Sequence, residues 1–296
     1  MKLKIWIAET RPHFLLLSIV LIFLGTSIAW YDDFFHFWHA LLAFVGLLLL
    51  HISVNVLNDY FDYRSGIDLR VRRTPFSGGS GILPAQLLAP EAVFRFGIIC
   101  FLLSIPIGIY FVISRGWLLL PLFIIGAICV LLYTTHLTKL DWPEWAPGLA
   151  LGALPVLGAY FIQSGSYTLQ AVIASIPSFI LVHNLLFLNE FPDVEADRKG
   201  GRRTLPIVLG KAKASKVYSA LTILVYLWII CGVAARLMPT FALIALLTLP
   251  LAAKAIRGAL NYEEEAKMLP ALGNNVFVVL LTQLLLGIGY IIAKLV

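Results

Sequence analysis

The chain contains nine apolar runs of about the length that a helix needs to cross a lipid bilayer. A membrane-spanning helix takes roughly 20 apolar residues, because it rises about 1.5 Å per residue through a hydrocarbon core about 30 Å thick. Hydrophobic residues make up 60% of the 296 residues and charged residues only 13%. Soluble domains carry about 25% charged residues. The sequence therefore predicts an all-α, polytopic membrane protein.

We expect one integral-membrane domain that covers residues 1–296. The boundary between the seventh and eighth spans is placed at Arg236 and Pro239, where a charge and a helix breaker interrupt the apolar pattern. The nine predicted spans lie near His13–Trp30, His36–Leu57, Glu91–Ile113, Trp117–Tyr133, Pro147–Gln163, Gln170–Asn189, Val217–Arg236, Pro239–Arg257 and Ala271–Lys294.

The positive charges separate between alternate loops of this nine-span arrangement. If the N-terminus lies inside, the outer segments hold only Arg115, Arg236 and Lys294, and all other Lys and Arg residues lie inside. Cytoplasmic loops of membrane proteins carry such an excess of Lys and Arg. The pattern predicts an N-in, C-out protein of the plasma or inner membrane. The inner loops are the longer, polar ones, so we expect the active site to face the cytoplasm.

The second apolar run leads directly into a polar stripe. Asn55, Asn58, Asp59 and Asp62 stand at helical spacings of three and four residues, which place them on one side of a helix, and Asp68 follows shortly after. Ionised carboxylates beside lipid are costly unless they are neutralised. Mg²⁺ would neutralise them, because it prefers oxygen ligands.

A second polar cluster follows the sixth apolar run. Asn189, Asp193 and Asp197 are spaced four residues apart, and Lys199 and Arg202 come just after them. Four spans separate the two clusters, so both leave the membrane on the same side. Two carboxylate clusters beside basic residues indicate metal ions that hold a polyanion. The alternative for each cluster alone is an ordinary solvated loop.

Three other segments contain candidate anion-binding residues. Arg72 and Arg73 open a Gly- and Ser-rich segment that runs to Gly81; Arg donors match phosphate geometry, and Gly lets backbone N–H groups approach an anion. Lys139 and Tyr133 lie at the inner end of the fourth span. The alternative interpretation is that both residues belong to the belt of side chains at the membrane–water interface. Arg11, before the first span, faces the site or anchors the helix.

These residues resemble the UbiA superfamily of intramembrane prenyltransferases. Asn58, Asp59 and Asp62 are similar to its Asn-Asp-x-x-Asp motif, and Asp193 and Asp197 are similar to its Asp-x-x-x-Asp motif. The nine spans, the Arg-Pro pair before the first span and the Gly-Ala-Leu-Pro stretch in the fifth span also match.

The chain departs from many family members at several positions. Gly66 replaces a third Asp of the first motif, and Asp68 follows it. This form is most similar to the 1,4-dihydroxy-2-naphthoate prenyltransferases of menaquinone synthesis. Leu137 stands where other members place a Lys, and Lys139 lies two residues further on. Pro192 stands where the naphthoate branch often has Arg.

The resemblance implies a helical bundle around a central cavity that is open sideways to lipid. It implies Mg²⁺-dependent transfer of a polyprenyl group from polyprenyl pyrophosphate to an aromatic acceptor, here 1,4-dihydroxy-2-naphthoate. The candidate catalytic residues are Asp62, Asp193, Asp197 and Tyr133. The candidate Mg²⁺ ligands are Asn58, Asp59, Asp62, Asp68, Asp193 and Asp197. The candidate pyrophosphate-binding residues are Arg72, Arg73, Lys139, Lys199 and Arg202, and additional candidates are Asn55, Asn189 and Arg11.

Two other functions stay open on the sequence alone. One is transfer to a different acceptor, such as another quinone ring, a chlorophyllide, a haem or a glyceryl phosphate lipid. The other is an ion-coupled secondary transporter, because intramembrane carboxylates also occur in such proteins. The expected partners are polyprenyl pyrophosphate, an aromatic acceptor and the bilayer, with no nucleic acid.

Overall fold

The protein is built from helices packed into one bundle. This computed structural model describes residues 2–296, and none of these residues lies in a β-strand. The helices are α1 (Lys2–Glu9), α2 (Pro12–Tyr31), α3 (Phe37–Ser65), α4 (Pro90–Arg115), α5 (Trp117–Leu132), α6 (Trp145–Ser164), α7 (Leu169–Asn189), α8 (Val194–Lys199), α9 (Leu205–Leu209), α10 (Lys211–Ala234), α11 (Thr240–Leu260) and α12 (Glu265–Leu295).

The predicted all-α membrane fold is confirmed. Within residues 2–296, eight helices are long and apolar enough to span a bilayer: α2, α3, α4, α6, α7, α10, α11 and α12. The predicted fourth span coincides with α5, which is apolar but shorter. The chain leaves α5 through a turn at Tyr133–His136, so the helix ends at Leu132, one residue before the predicted end of the span. The N-in, C-out orientation stays a prediction.

The main core lies where α2 packs against α6 and α12, and where α7 and α10 close the bundle. Leu21, Leu24 and Ile28 of α2 are almost fully buried in this core. By contrast, α4 lies at the periphery and leaves apolar side chains such as Ile99 and Ile113 exposed. Such an apolar outer surface suits contact with lipid tails.

Buried amide and hydroxyl groups connect three of the core helices. Asn275 on α12 accepts a hydrogen bond from the Tyr218 hydroxyl at 2.9 Å and donates to the Asn184 carbonyl at 3.0 Å. The Asn184 side chain donates in turn to Thr222 Oγ1 at 3.0 Å. Interhelical hydrogen bonds of this kind contribute about 0.6 kcal/mol each in membranes. They fix α7, on which the second motif depends, against α10 and α12.

Two helix irregularities lie beside the central cavity. After its first turn, α6 contains a π-helical segment, Leu149–Ala153, in which Leu151 leaves helical geometry. Gly152 allows α6 to approach α7 closely, because a Cβ atom there would lie 2.6 Å from the Ser178 carbonyl oxygen. The second irregularity is the break between α7 and α8 around Pro192, where the sequence predicts that the helix ends.

Candidate active site

The two carboxylate motifs meet at one guanidinium group. Arg202 donates to Asp62 of the first motif, and it donates to Asp197 Oδ1 of the second motif at 2.9 Å. All three side chains are largely buried. The structure therefore brings together two clusters that are 140 residues apart in the sequence, at the end of the bundle that we call the motif end.

The first motif lies on an uninterrupted helix. Asn55, Asn58 and Asp62 all face the cavity from α3, which continues eight residues beyond the predicted span to Ser65. The Asn58 amide donates to Asp62 Oδ2 at 3.0 Å and to Thr134 Oγ1 at 3.1 Å. These two contacts hold the motif against the turn that follows α5.

Asp59 differs from its neighbours, because it does not line the cavity. Its Oδ2 atom accepts a hydrogen bond from the Ser80 backbone N–H at 2.8 Å, and Arg11 lies 3.8 Å from its other oxygen. Ser80 also donates its hydroxyl to the fully buried Glu9 of α1 at 2.8 Å. The predicted metal ligand Asp59 therefore belongs to a cluster that attaches the Gly-rich loop and α1 to α3.

The Gly-rich loop forms one wall of the cavity. Ser77, Gly78 and Gly79 line it, and both glycines have positive φ angles, which suit glycine. A Cβ atom at Gly79 would lie 2.8 Å from Asp68 Oδ2. The absence of a side chain at Gly79 thus lets the loop cover the carboxylate of Asp68.

The second motif is formed at the helix break. Asp193 precedes α8, and the Asp197 N–H donates to the Asp193 carbonyl at 2.9 Å, so both carboxylates share one helical turn. Asn189, the last residue of α7, lines the same cavity. Arg202 lies in the turn after α8, and its backbone N–H donates to the Asp197 carbonyl at 3.0 Å.

Burial and like charge raise the pKa values of the cavity carboxylates. Burial, followed by the neighbouring charges of Asp62 and Asp59, raises the pKa of Asp68 to about 8. Burial and the charge of Asp197 raise the pKa of Asp193 to about 7, although Arg202 acts in the opposite direction. The site thus concentrates more negative charge than Arg202 alone neutralises.

The central cavity changes in character along its length. Many polar side chains line this cavity where it lies at the motif end of the bundle. The volume of the cavity is about 200 Å³. A second cavity of about 390 Å³ lies beside it and is lined almost entirely by apolar side chains. The two cavities share Leu47, Leu50, Gly126 and Ala150. The polar residues that line the first cavity are Arg11, His51, Asn55, Asn58, Asp62, Asp68, Ser77, Tyr133, Asn189, Glu190, Asp193, Asp197 and Arg202.

Four of the five residues predicted to bind pyrophosphate lie outside the cavity wall. Arg72 forms an exposed ion pair with Glu265 at 2.8 Å. Arg73, Lys139 and Lys199 have exposed side chains. Of the predicted set, only Arg202 lines the cavity. The other four place their charges in solvent.

The oxygen atoms of the motifs fit a hard divalent cation. Asp59 Oδ1, Asn189 Oδ1 and Asp193 Oδ1 are buried without a hydrogen-bond donor, and such atoms are costly to bury unsatisfied. Among residues 2–296, no three Asp, Glu, His or Cys side chains are grouped so that they could hold a metal ion as they stand. Arg202 lies between the carboxylates of the two motifs. The donor atoms therefore suit Mg²⁺, and the ion pairs with Arg202 keep them close together.

Three features of the site are absent from the sequence predictions. His51 lines the cavity one turn before Asn55 and bonds Ser18 Oγ at 2.9 Å; its spacing from the motif was a usable signal. Glu190 lines the cavity directly after α7. Fully buried Glu9 lies on a short helix with no recognisable motif, so no sequence signal marks it.

Known proteins resemble this chain along almost its whole length. The 1,4-dihydroxy-2-naphthoate octaprenyltransferase of Bacillus subtilis (strain 168) is 28% identical over 291 residues, which cover 96% of this chain and 91% of the relative. The enzyme of the same name from Escherichia coli (strain K12) is 26% identical, with 98% and 96% covered. Both matches therefore extend over more than nine tenths of each chain.

Solved structures share the fold at lower identity. A UbiA homologue from Aeropyrum pernix K1 has a TM-score of 0.69 at 19% identity, covering 94% of this chain and 97% of that one. A UbiA homologue from Archaeoglobus fulgidus bound to GPP and Mg²⁺ has a TM-score of 0.63 at 13% identity, covering 95% and 99%. A sequence profile described as the UbiA prenyltransferase family matches residues 12–290. The chain therefore belongs to the UbiA prenyltransferase family and is a membrane-integral prenyltransferase.

Proposed function

We propose that the protein transfers a polyprenyl group from polyprenyl pyrophosphate to 1,4-dihydroxy-2-naphthoate, in menaquinone biosynthesis, and that Mg²⁺ is required. The acceptor is supported by the names of the relatives from Bacillus subtilis and Escherichia coli. The metal and the donor are supported by the homologue bound to GPP and Mg²⁺.

One observation carries the proposal for this chain itself. The buried contacts of Arg202 with Asp62 and Asp197 unite the two motifs at the polar end of a cavity that continues into an apolar one. A prenyl pyrophosphate has the same division, with an anionic head and a long apolar tail. The polar end suits the head and the apolar cavity suits the tail.

The candidate Mg²⁺ ligands are the oxygen atoms of Asn58, Asp62, Asp68, Asp193 and Asp197, whereas the predicted ligand Asp59 lies outside the cavity lining and pairs with Arg11 and Ser80. Mg²⁺ at this place would stabilise the negative charge that develops on the pyrophosphate as the bond to the prenyl group breaks. Arg202 holds Asp62 and Asp197 in fixed positions for this purpose. Arg11, which also lines the cavity, adds a positive charge near the head.

The rest of the cavity wall acts on the prenyl group and the acceptor. Tyr133 lines the cavity close to the polar end, and its ring would stabilise the developing allylic cation by about 1–2 kcal/mol. The apolar walls contributed by Leu47, Leu50 and Leu151 keep water from that cation. The exposed residues Arg72, Arg73, Lys139 and Lys199 would attract the pyrophosphate before it enters.

We further propose that residues 1–296 form one domain in the plasma or inner membrane, with the motif end facing the cytoplasm. The distribution of Lys and Arg supports this orientation. The family match favours an enzyme over a transporter. The names of the two relatives favour naphthoate over the other acceptors.

The test is a transfer assay with purified protein in detergent. A pool of prenyl pyrophosphates of mixed length is incubated with 1,4-dihydroxy-2-naphthoate, with Mg²⁺ or with EDTA. We expect prenylated naphthoate with Mg²⁺ and none with EDTA. If folded protein yields no naphthoate product but releases pyrophosphate with another acceptor, the proposed acceptor is wrong. If no acceptor in the panel is prenylated, the proposed reaction is wrong.

A further inference from the structure

A pair of buried carboxyl groups lies beside the second motif and takes no part in the contacts of Arg202. Glu144 is fully buried and Glu190 is 9% exposed. Glu144 Oε1 accepts a hydrogen bond from the Leu205 backbone N–H at 2.6 Å. The carboxyl groups of Glu144 and Glu190 lie within hydrogen-bonding range of each other. The pair thus links the segment before α6 to the end of α7.

The pair has fewer donors than its oxygen atoms require. Glu144 Oε2 and Glu190 Oε2 are both buried, and neither has a donor in the protein. Burial, followed by the adjacent Glu144 carboxyl, raises the pKa of Glu190 well above its ordinary value. A proton shared between the two carboxyl groups can satisfy these two oxygens, which leaves the other oxygen of Glu190 to accept a hydrogen bond from a ligand.

Glu190 is the member of the pair that reaches the cavity. It lines the polar end together with Tyr133, whereas Glu144 does not line it. The side chain of Arg202 donates hydrogen bonds to Asp62 and Asp197 and makes none to Glu190. Glu190 therefore presents an acceptor to whatever lies beside Tyr133, and the bond from Leu205 keeps the supporting carboxyl of Glu144 in place.

A neutral hydroxyl group fits this position better than a phosphate group. A phosphate would meet a second acidic group here, and like charges at short range repel. A phenolic hydroxyl donates one hydrogen bond and also accepts, so it can bond to a carboxyl in either protonation state. Sites built to bond a hydroxyl discriminate strongly against analogues that lack it.

We propose that Glu190 hydrogen-bonds a phenolic hydroxyl of the aromatic acceptor, with Glu144 as the residue that positions it. This inference rests on the proposed prenyl transfer to a hydroxylated ring and adds the residue that selects the ring. Glu190 is thus a specificity residue for the acceptor, and it lines the same cavity as the carboxylates that would hold the pyrophosphate.

The test compares ring binding in Glu190→Leu, which removes both oxygens, with binding in Glu190→Gln, which keeps one acceptor. Dissociation constants are measured for 1,4-dihydroxynaphthalene under argon and for naphthalene, by quenching of tryptophan fluorescence, which needs no turnover. We expect the wild-type preference for the hydroxylated ring to fall about tenfold or more in the Leu variant. It should be largely retained in the Gln variant.

Steady-state kinetics provide the second readout. Glu190→Leu should raise the KM for 1,4-dihydroxy-2-naphthoate about tenfold and leave the KM for the prenyl pyrophosphate within about twofold. Glu144→Gln should give a smaller rise in the same acceptor KM. Glu195→Gln is the matched control, because Glu195 is an exposed carboxylate on the neighbouring helix α8, and it should behave as the wild type.

Unchanged discrimination between the two rings in folded Glu190→Leu would overturn the inference. A rise in both KM values together would also overturn it, since a merely structural role has that effect. If Glu190→Leu does not fold, the comparison of Glu144→Gln with Glu195→Gln decides by the same criteria. A wild-type protein that discriminates between the rings through Glu190 but transfers no prenyl group would contradict the proposed reaction alone.

Discussion

Ion pairs occur at both ends of the bundle, but the pairs of Arg202 and Lys294 differ in how far they are exposed to solvent. At the motif end, Arg202 is 14% exposed and contacts Asp62 and Asp197, which are 8% and 2% exposed. At the opposite end, Lys294 contacts Asp33 at 2.5 Å, and Asp33 is 83% exposed. The ion pairs of Arg202 are therefore buried, whereas the partner of Lys294 is solvated.

The difference indicates which charges serve a function. A solvated pair adds little to stability, because water and salt screen it. A buried pair carries a desolvation penalty that attraction only partly offsets, so it is weak evidence for stability alone. The buried acidic residues of the motif end are better explained by a ligand that needs them. The following changes test this contrast, from the largest expected effect to the smallest.

Asp62→Asn and Asp193→Asn should each lower the rate of prenyl transfer about 10³-fold or more, as loss of an electrostatic group in an active site does. Each change removes a negative charge that would hold Mg²⁺ but keeps the size of the side chain. The measurement is turnover with saturating substrates, with gel filtration to verify the fold. Full activity of Asp62→Asn would refute its assignment as a metal ligand.

Arg202→Leu should destabilise the protein by about 3–5 kcal/mol, because it leaves two buried carboxylates without a partner. Arg202→Lys keeps the charge and should lose less. The melting temperature in detergent measures both changes. Added Mg²⁺ should raise the melting temperature of the Leu variant more than that of the wild type. Equal melting temperatures for the Leu variant and the wild type would mean that the ion pairs do not hold the motifs together.

Gly152→Ala should destabilise the protein by about 1–3 kcal/mol, because a Cβ atom would press on the Ser178 carbonyl and separate α6 from α7. Gly126→Ala is the matched control on α5. A Cβ atom there meets nothing within 4 Å, so this variant should be as stable as the wild type or more stable. If both variants lower the melting temperature by the same amount, the close contact at Gly152 does not explain the loss of stability.

Lys294→Ala should change stability by less than about 1 kcal/mol, because its partner is exposed. Prenyl transfer should be unchanged. The melting temperature at low and high salt measures the effect, and any small loss should disappear at high salt. A loss as large as that of Arg202→Leu would remove the distinction between the two ends.

Much of the fold follows from local sequence. Apolar runs predict the spans, because each helix satisfies its own backbone and only length and hydrophobicity are required. Pro192 predicts the end of α7 for an equally local reason. The extent of α5, Trp117–Leu132, agrees with the predicted fourth span, Trp117–Tyr133, to within one residue. The π-helical segment of α6 depends on packing against α7, which one sequence does not encode locally.

The sequence predicted the part of the site in which helical spacing decides which side chains share a face. At about 100° per residue, Asn58, Asp62 and Asn55 fall within about 60° of one another, and all three line the cavity. Asp59 lies about 40° beyond Asn55 by the same geometry, which directs it to Ser80 and Arg11 instead. His51 falls inside the stripe by the same geometry and also lines the cavity.

Contacts between distant segments decide the rest of the site. Nothing in the basic run at the end of α8 distinguishes Arg202 from Lys199, yet Arg202 is buried between the two motifs and Lys199 is exposed. Glu144 lies before α6 without any motif, and its role depends on Glu190, 46 residues later in the chain. Such pairings are set by tertiary packing, so a single sequence does not reveal them.

The most direct test of the central claim is calorimetric binding of geranyl thiopyrophosphate, a slowly reacting substrate analogue, with and without Mg²⁺. The account predicts tight binding that requires Mg²⁺ and is lost in both Asp62→Asn and Asp193→Asn, because the two motifs hold one anionic head together. Binding of equal strength in EDTA, or binding that survives the loss of either motif, would contradict it.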